Sequence, residues 1–205
     1  MHIEAKDFTI FVKKILNNFF TNKIVLDVGS GDINGNNSFL FENCEYNGND
    51  VIEAKNVTIV SKTKDLPFKS NIFDTIISTE CFEHDPEYSE STLKIYDMLK
   101  PGGLFLFTCA STGRAEHGTR RTSPNKSYGT IGNLPDMMDY YKNLTEVDLN
   151  DVLPLSKSFS SWNTYYNNYS KDLYFLGIKN GGDSIITLEE FIYPNVINTS
   201  SNIKL

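Results

Sequence analysis

The stretch "KIVLDVGSGDING", residues 23–35, decides the fold. Ile24 to Val28 is a short apolar run ended by glycines, the pattern of a strand buried on both faces of a parallel sheet. Glycine is needed where a backbone approaches a ligand or takes a positive φ. Gly29, Gly31 and Gly35 are spaced G-x-G-x-x-x-G, which is not the dinucleotide-binding G-x-G-x-x-G. A helix is expected after the turn, its start able to hold an anion. Asp27 lies in the strand end, two residues before Gly29. A buried carboxylate there would repel a pyrophosphate and suit a cationic group such as an ammonium. Asp50 follows Gly31 by 19 residues, where a carboxylate can take ribose hydroxyls. A structural glycine turn without a ligand is the alternative.

Outward from this stretch, apolar runs and helical periodicities alternate. Residues 7–20 place Phe8, Phe11, Val12, Ile15, Leu16 and Phe19 on one face of an opening amphipathic helix. "CEYNGND" (44–50), "NVTIV" (56–60), "IFDTIIS" (72–78) and "LFLFTCA" (104–110) read as strands, and 35–42 as a short helix. Residues 86–100 form a helix with Pro86 near its first turn, and Asp85 is its expected N-cap. Residues 143–153 read as another helix, and 157–168 and 172–180 as two adjacent antiparallel strands. This is the α/β signature. One domain is expected over 1–205, with 110–145 as a polar substrate loop and 183–205 as a tail of unassigned structure.

The totals exclude several classes. Net charge is −7, which argues against a broad phosphate-binding face, so nucleic acid is not an expected partner. Cys44, Cys81 and Cys109 form no C-x-x-C pair, so neither a disulfide framework nor a thiolate zinc site is expected. A reducing, cytoplasmic setting follows. The first twenty residues lack a signal-peptide pattern, and no apolar run is long enough to span a membrane.

"TECFEHDPEYSE", residues 79–90, puts Glu80, Glu83 and His84 within five positions. On a helix they would share one face. They are either polar residues on a wet surface or ligands of one metal ion.

The ordered set "VLDVGSG", Asp50, "DLPF" (65–68), "FDTIIS" (73–78) and "LKPGGLFLFT" (99–108) resembles the class I S-adenosylmethionine (SAM) methyltransferases. The resemblance implies a Rossmann-like seven-stranded, mostly parallel sheet with an antiparallel last strand and helices on both faces. It implies Asp27, Gly29, Ser30 and Gly31 beside the methionine and ribose of SAM, Asp50 and Val51 at the ribose, and Glu80 near the methyl group. Lys62 stands where many relatives carry an adenine-binding Asp, so adenine recognition is expected around Thr63, Lys64 and Leu66.

The E-x-x-E-H pattern resembles a subset of O-methyltransferases, the ubiquinone-pathway catechol-type and small-RNA 3′-end enzymes. There the two Glu and the His bind a divalent metal with one further His from beyond the fifth strand. His117 in "STGRAEHGTRRT" (111–122) matches that place. The implied metal set is Glu80, Glu83, His84 and His117, holding Mg²⁺, Mn²⁺, Fe²⁺ or Zn²⁺, with Glu83, His84 and His117 in catalytic roles. In metal-independent relatives such histidines are structural, and Glu116 could replace or assist His117. Arg114, Arg120 and Arg121 could clamp a substrate anion or form a solvated loop face. Tyr140 and Tyr141 could stack on a sugar or pack in the core. "CASTGRAEHGTRRT" (109–122) and "DYYKNLT" (139–145) resemble glycan-modifying methyltransferases, which implies a sugar or glycan substrate with adjacent hydroxyls. A catechol, an RNA 3′-terminal ribose, or SAM binding without catalysis are the alternatives.

Overall fold

The apolar runs pair into one sheet. In a computed structural model that describes residues 2–183, 186–188, 193–194 and 196–198, five strands run parallel: β1 (Ile24–Val28), β2 (Glu45–Asp50), β3 (Ile59–Val60), β4 (Phe73–Thr79) and β5 (Leu99–Ala110). β7 (Asp172–Lys179) lies antiparallel between β5 and β6 (Phe159–Asn167). The order is β3-β2-β1-β4-β5-β7-β6, the expected seven strands, and a two-residue β8 (Ile197–Asn198) adds to the β6 edge.

Alternation along each strand feeds two apolar layers, because successive side chains point to opposite faces. Phe105, Phe107 and Cys109 of β5, with Leu173 and Phe175 of β7, pack on one face under α2 (Tyr88–Met98) and α4 (Glu146–Val152). Leu104 and Leu106, with Tyr174, Leu176 and Ile178, pack on the other against Phe8, Val12 and Leu16 at the N-terminal end. The first two belong to α1 (Ile3–Ile15), which starts four residues earlier than its periodicity predicts. The shared centre is β4 and β5, whose parallel register carries Ile76 and Ile77 to opposite layers.

The helix expected over 35–42 is absent. Only a single 3₁₀ turn, Ser38–Leu40, follows the glycine turn. Asp32 closes the preceding loop by accepting from the Gly35 amide at 2.8 Å and Asn36 Nδ2 at 3.0 Å, and Asn36 Oδ1 takes the Ser38 amide at 2.9 Å. Side chains that bond locally to backbone compete with helix formation. Helix α2 begins at Tyr88, two residues later than expected, and its N-cap is Glu87 rather than Asp85. Asp85 instead braces the preceding turn, accepting from the Glu87 amide at 2.8 Å and the Ser91 hydroxyl at 2.6 Å. α4 opens on a capping box between Thr145 and Asp148. Two short helices, α3 (Tyr128–Ile131) and α5 (Leu155–Ser158), complete the set. Within the tail, Leu188 is buried and its amide donates to Ser161 Oγ at 2.8 Å. Much of the 183–205 expectation lies outside the described residues. Among the described residues no helix is long and apolar enough to cross a membrane. All three cysteines are free.

Candidate functional site

A cavity of about 520 Å³ opens at the carboxyl ends of the parallel strands, where open α/β sheets take ligands. The glycine turn forms its floor. Gly29 has φ +71°, and a Cβ there would stand 2.6 Å from the Cys81 sulfur. A Cβ on Gly31 would stand 2.0 Å from the Tyr128 ring and 2.8 Å from Asp50 Oδ2. Asp50 holds the turn in place: Oδ2 accepts from the Gly31 amide at 3.0 Å and Oδ1 from the Val51 amide at 2.8 Å. Burial raises the Asp50 pKa against those two bonds. Asp27 is fully buried. Burial pushes it up to about 6, although Tyr46 OH (2.5 Å) and Asn37 Nδ2 (3.0 Å) donate to it.

Asp27, Gly29, Gly31, Asp50, Val51 and Glu80 all line the cavity, as expected. Ser30 does not. Its hydroxyl turns back to the Asn56 carbonyl at 3.0 Å and braces the loop from behind. Lys64 and Leu66 are also corrected. Lys64 pairs with Asp65 (3.1 Å) and Glu87 (3.6 Å), and Leu66 belongs to the apolar core. The single 3₁₀ turn at Thr63–Asp65 carries Lys64 to Asp65 and Glu87 and Leu66 into the core, and Lys62 and Thr63 face the cavity instead.

The E-x-x-E-H segment is not a helical face. Glu80 has φ +55°, followed by one 3₁₀ turn, Phe82–His84. This splits the four predicted metal ligands. His117 Nε2 lies 3.8 Å and His84 Nε2 4.0 Å from Glu83 Oε1. The Tyr141 ring packs against both imidazoles, with centroids 5.1 and 5.6 Å away, and its hydroxyl donates to the Ala115 carbonyl. Glu80 turns the other way, accepting from Thr108 Oγ1 at 2.8 Å and lying 3.1 Å from His2 Nε2. His2 also meets Asp172 at 2.9 Å. Sequence reasoning missed His2, Asp172 and Tyr128. Position 2 has no motif around it, and only the fold brings it to β4 and β7.

The electrostatics follow from burial. The Glu83 carboxyl is held well above its usual range by burial and by the neighbouring Glu80 charge. Both of its oxygens lack a hydrogen-bond donor. Burial lowers His84 to about 3, with the His117 charge adding to the effect, and burial also lowers His117. Arg114 lines the cavity, bonded to the Ser170 carbonyl at 2.5 Å. Arg120 and Arg121 pair instead with Asp139 and Glu116 on the exposed loop, so Glu116 stays out of the histidine cluster. Tyr140 is partly buried.

The strand order and the glycine-turn cavity define a Rossmann-like methyltransferase fold. Residues 26–107 match the family described as Methyltransferase domain. A 53-residue stretch is 36% identical to phosphoethanolamine N-methyltransferase 2 of Caenorhabditis elegans, spanning 26% of this chain and 12% of that protein. Among solved structures, 86% of the chain superposes on 78% of Burkholderia thailandensis 1,6-didemethyltoxoflavin-N1-methyltransferase, which holds S-adenosylhomocysteine (TM-score 0.58, 15% identity). Haemonchus contortus phosphoethanolamine N-methyltransferase 2 is similar over 85% of this chain and 53% of that one (TM-score 0.56, 16% identity). The fold is that of solved SAM-dependent methyltransferases, and the family match spans residues 26–107 of it.

Proposed function

We propose that the protein is a SAM-dependent O-methyltransferase that methylates a hydroxyl of a sugar or glycan, with a divalent cation held by Glu83, His84 and His117. The observation behind this reading is the Glu83 carboxylate. It is wholly buried, its oxygens have no donors, and two imidazoles converge on it. An unpaired buried carboxylate costs several kcal/mol, which a coordinated cation offsets. A Glu/His/His set suits Mg²⁺, Mn²⁺, Fe²⁺ or Zn²⁺.

SAM supplies a methyl on a sulfonium: the acceptor oxygen forms the new C–O bond, and the sulfur keeps the electron pair of the broken C–S bond. A bound divalent cation lowers the pKa of a coordinated hydroxyl and orients it. The chain's own residues do the rest. Asp27, buried and anionic above about pH 6, suits the ammonium of the cofactor. Asp50 keeps lone pairs free for the ribose hydroxyls after taking two amides. His84 and His117, neutral at pH 7, can hold the acceptor's proton or act as ligands. Tyr141 fixes both rings.

The test is metal content and methyl transfer to a panel of vicinal-diol sugars, before and after chelation. About one equivalent of ion, with turnover lost to chelator and restored by metal, supports the reading. A metal-free, chelator-resistant enzyme overturns the metal role. A second reading, transfer to an amine, has the likeness to phosphoethanolamine N-methyltransferases behind it. Phosphoethanolamine in the same assay separates the two.

A further inference from the structure

We propose that His2, Glu80 and Asp172 form a second divalent-cation site beside the first. The three residues come from the turn before α1, the end of β4 and the first position of β7. His2 Nε2 stands 2.9 Å from Asp172 Oδ2 and 3.1 Å from Glu80 Oε2. Neighbouring ligands of an octahedral ion bound at about 2.1 Å stand about 3.0 Å apart. The two distances from His2 match that spacing, and all three residues offer a ligand atom within 4.8 Å of the others.

The partners around the cluster are those of a metal site. His2 Nδ1 lies 2.8 Å from Glu4 Oε2. A ligating histidine commonly donates its other ring N–H to a carboxylate, which leaves Nε2 as the ligand. Thr108 anchors the second oxygen of Glu80 at 2.8 Å. Asp172 is wholly buried, and Arg114 Nη1 stands 3.6 Å from its Oδ1, beyond hydrogen-bond range. In the ion-free fold the Nε2 proton is shared between the Glu80 and Asp172 carboxylates, and a divalent cation would take that proton's place. Glu80 takes the left-handed φ of +55°, which is uncommon for a non-glycine residue. Strain of this kind clusters at ligand sites, and here it accompanies a carboxylate turned to His2 rather than to His84. His2 and Glu80 line the cavity, so an ion can enter from it. Two carboxylates and one imidazole favour Mg²⁺ or Mn²⁺ over thiophilic ions.

The test is Mn²⁺ titration of ion-stripped protein, purified without a histidine tag, by calorimetry and electron paramagnetic resonance. Two Mn²⁺ per chain are expected in the wild type. His2→Gln and Asp172→Asn should each weaken one of the two at least tenfold, and Glu83→Gln should weaken the other. One Mn²⁺ per chain, lost in Glu83→Gln and unchanged in His2→Gln, overturns the second site. Two ions unaffected by Glu83→Gln but reduced to one by His2→Gln would instead overturn the first. Wild-type stoichiometry decides even where Asp172→Asn fails to fold, and no Mn²⁺ at all overturns both.

Discussion

His117 Nε2 stands 3.8 Å from Glu83 Oε1, although one belongs to the loop after β5 and the other to the turn after β4. The loop after β5 folds back over the strand ends and places its imidazole beside a buried carboxylate that His84 also approaches, at 4.0 Å. That contact makes Glu83→Gln the most informative substitution. Gln keeps the shape and removes a buried charge. Because burial and Glu80 raise the Glu83 pKa, its ionised form is unfavourable in the ion-free fold, increasingly so as pH rises. Ion-free Glu83→Gln should therefore melt no lower than wild type at pH 8. Mn²⁺ should raise its melting temperature less, and turnover should fall at least about 100-fold while S-adenosylhomocysteine affinity stays within about threefold. Equal loss of cofactor affinity would sink the assignment.

The proposed place of Asp27 beside the cofactor's ammonium predicts a pH dependence for cofactor binding. Its folded pKa of about 6 lies above the ordinary carboxylate value of 3.8, because burial disfavours the charge. The sign is that of a raised acid. The ion-free fold bears no cost below about pH 4. It loses stability between pH 4 and 6, by at most about 3 kcal/mol above that. A cationic ligand recovers part of this once Asp27 is charged. Calorimetric titration with S-adenosylhomocysteine should show affinity rising from pH 5 to 7 and then levelling. Asp27→Asn should bind at least about tenfold more weakly, with a flatter profile. A wild-type affinity that does not change across pH 6 would refute this.

Gly31 is the tightest point of the cavity floor. The Tyr128 ring occupies the space a side chain would need, and Asp50 lies behind it. Gly31→Ala must displace one or the other, at a cost of about 1–3 kcal/mol. Binding of S-adenosylhomocysteine should weaken about tenfold or more. Adding Tyr128→Ala should recover part of the loss if the ring is the obstacle, and none if the Asp50 bond is.

Lys62 ties the loop after β5 to the sheet by pairing with Asp136 and, at 2.6 Å, with Glu87. All three side chains are partly exposed, so the tie is weak and screened by salt. Asp136→Ala should speed hydrogen exchange over 128–139 and S-adenosylhomocysteine dissociation by less than about fivefold. The difference from wild type should shrink in 0.5 M NaCl. An effect that grows with salt would exclude an ionic latch.

The central strands β1, β4 and β5 were legible because each carries a short apolar run punctuated by glycine or a polar turn, and burial on both faces demands that pattern. Asp27, Gly29, Gly31 and Asp50 were legible for the same reason: each sits at a strand end, where chain position and space coincide. Residues 35–42 were misread because local bonds from Asp32 and Asn36 outcompete a helix there. The spacing of Glu80, Glu83 and His84 suggested one face, yet a single positive φ at Glu80 turned its carboxylate to His2.

The sequence by itself determined the alternation of strands and helices, the glycine turn and its two flanking carboxylates, since these depend on periodicity and on residue types a few positions apart. Only the tertiary structure decided that His117 joins Glu83 and His84, that Lys64 and Leu66 turn away from the cavity, and that His2 meets Glu80 and Asp172. Those relationships join groups far apart in the chain, and a single φ or one 3₁₀ turn redirects a side chain without leaving a mark in the residue pattern.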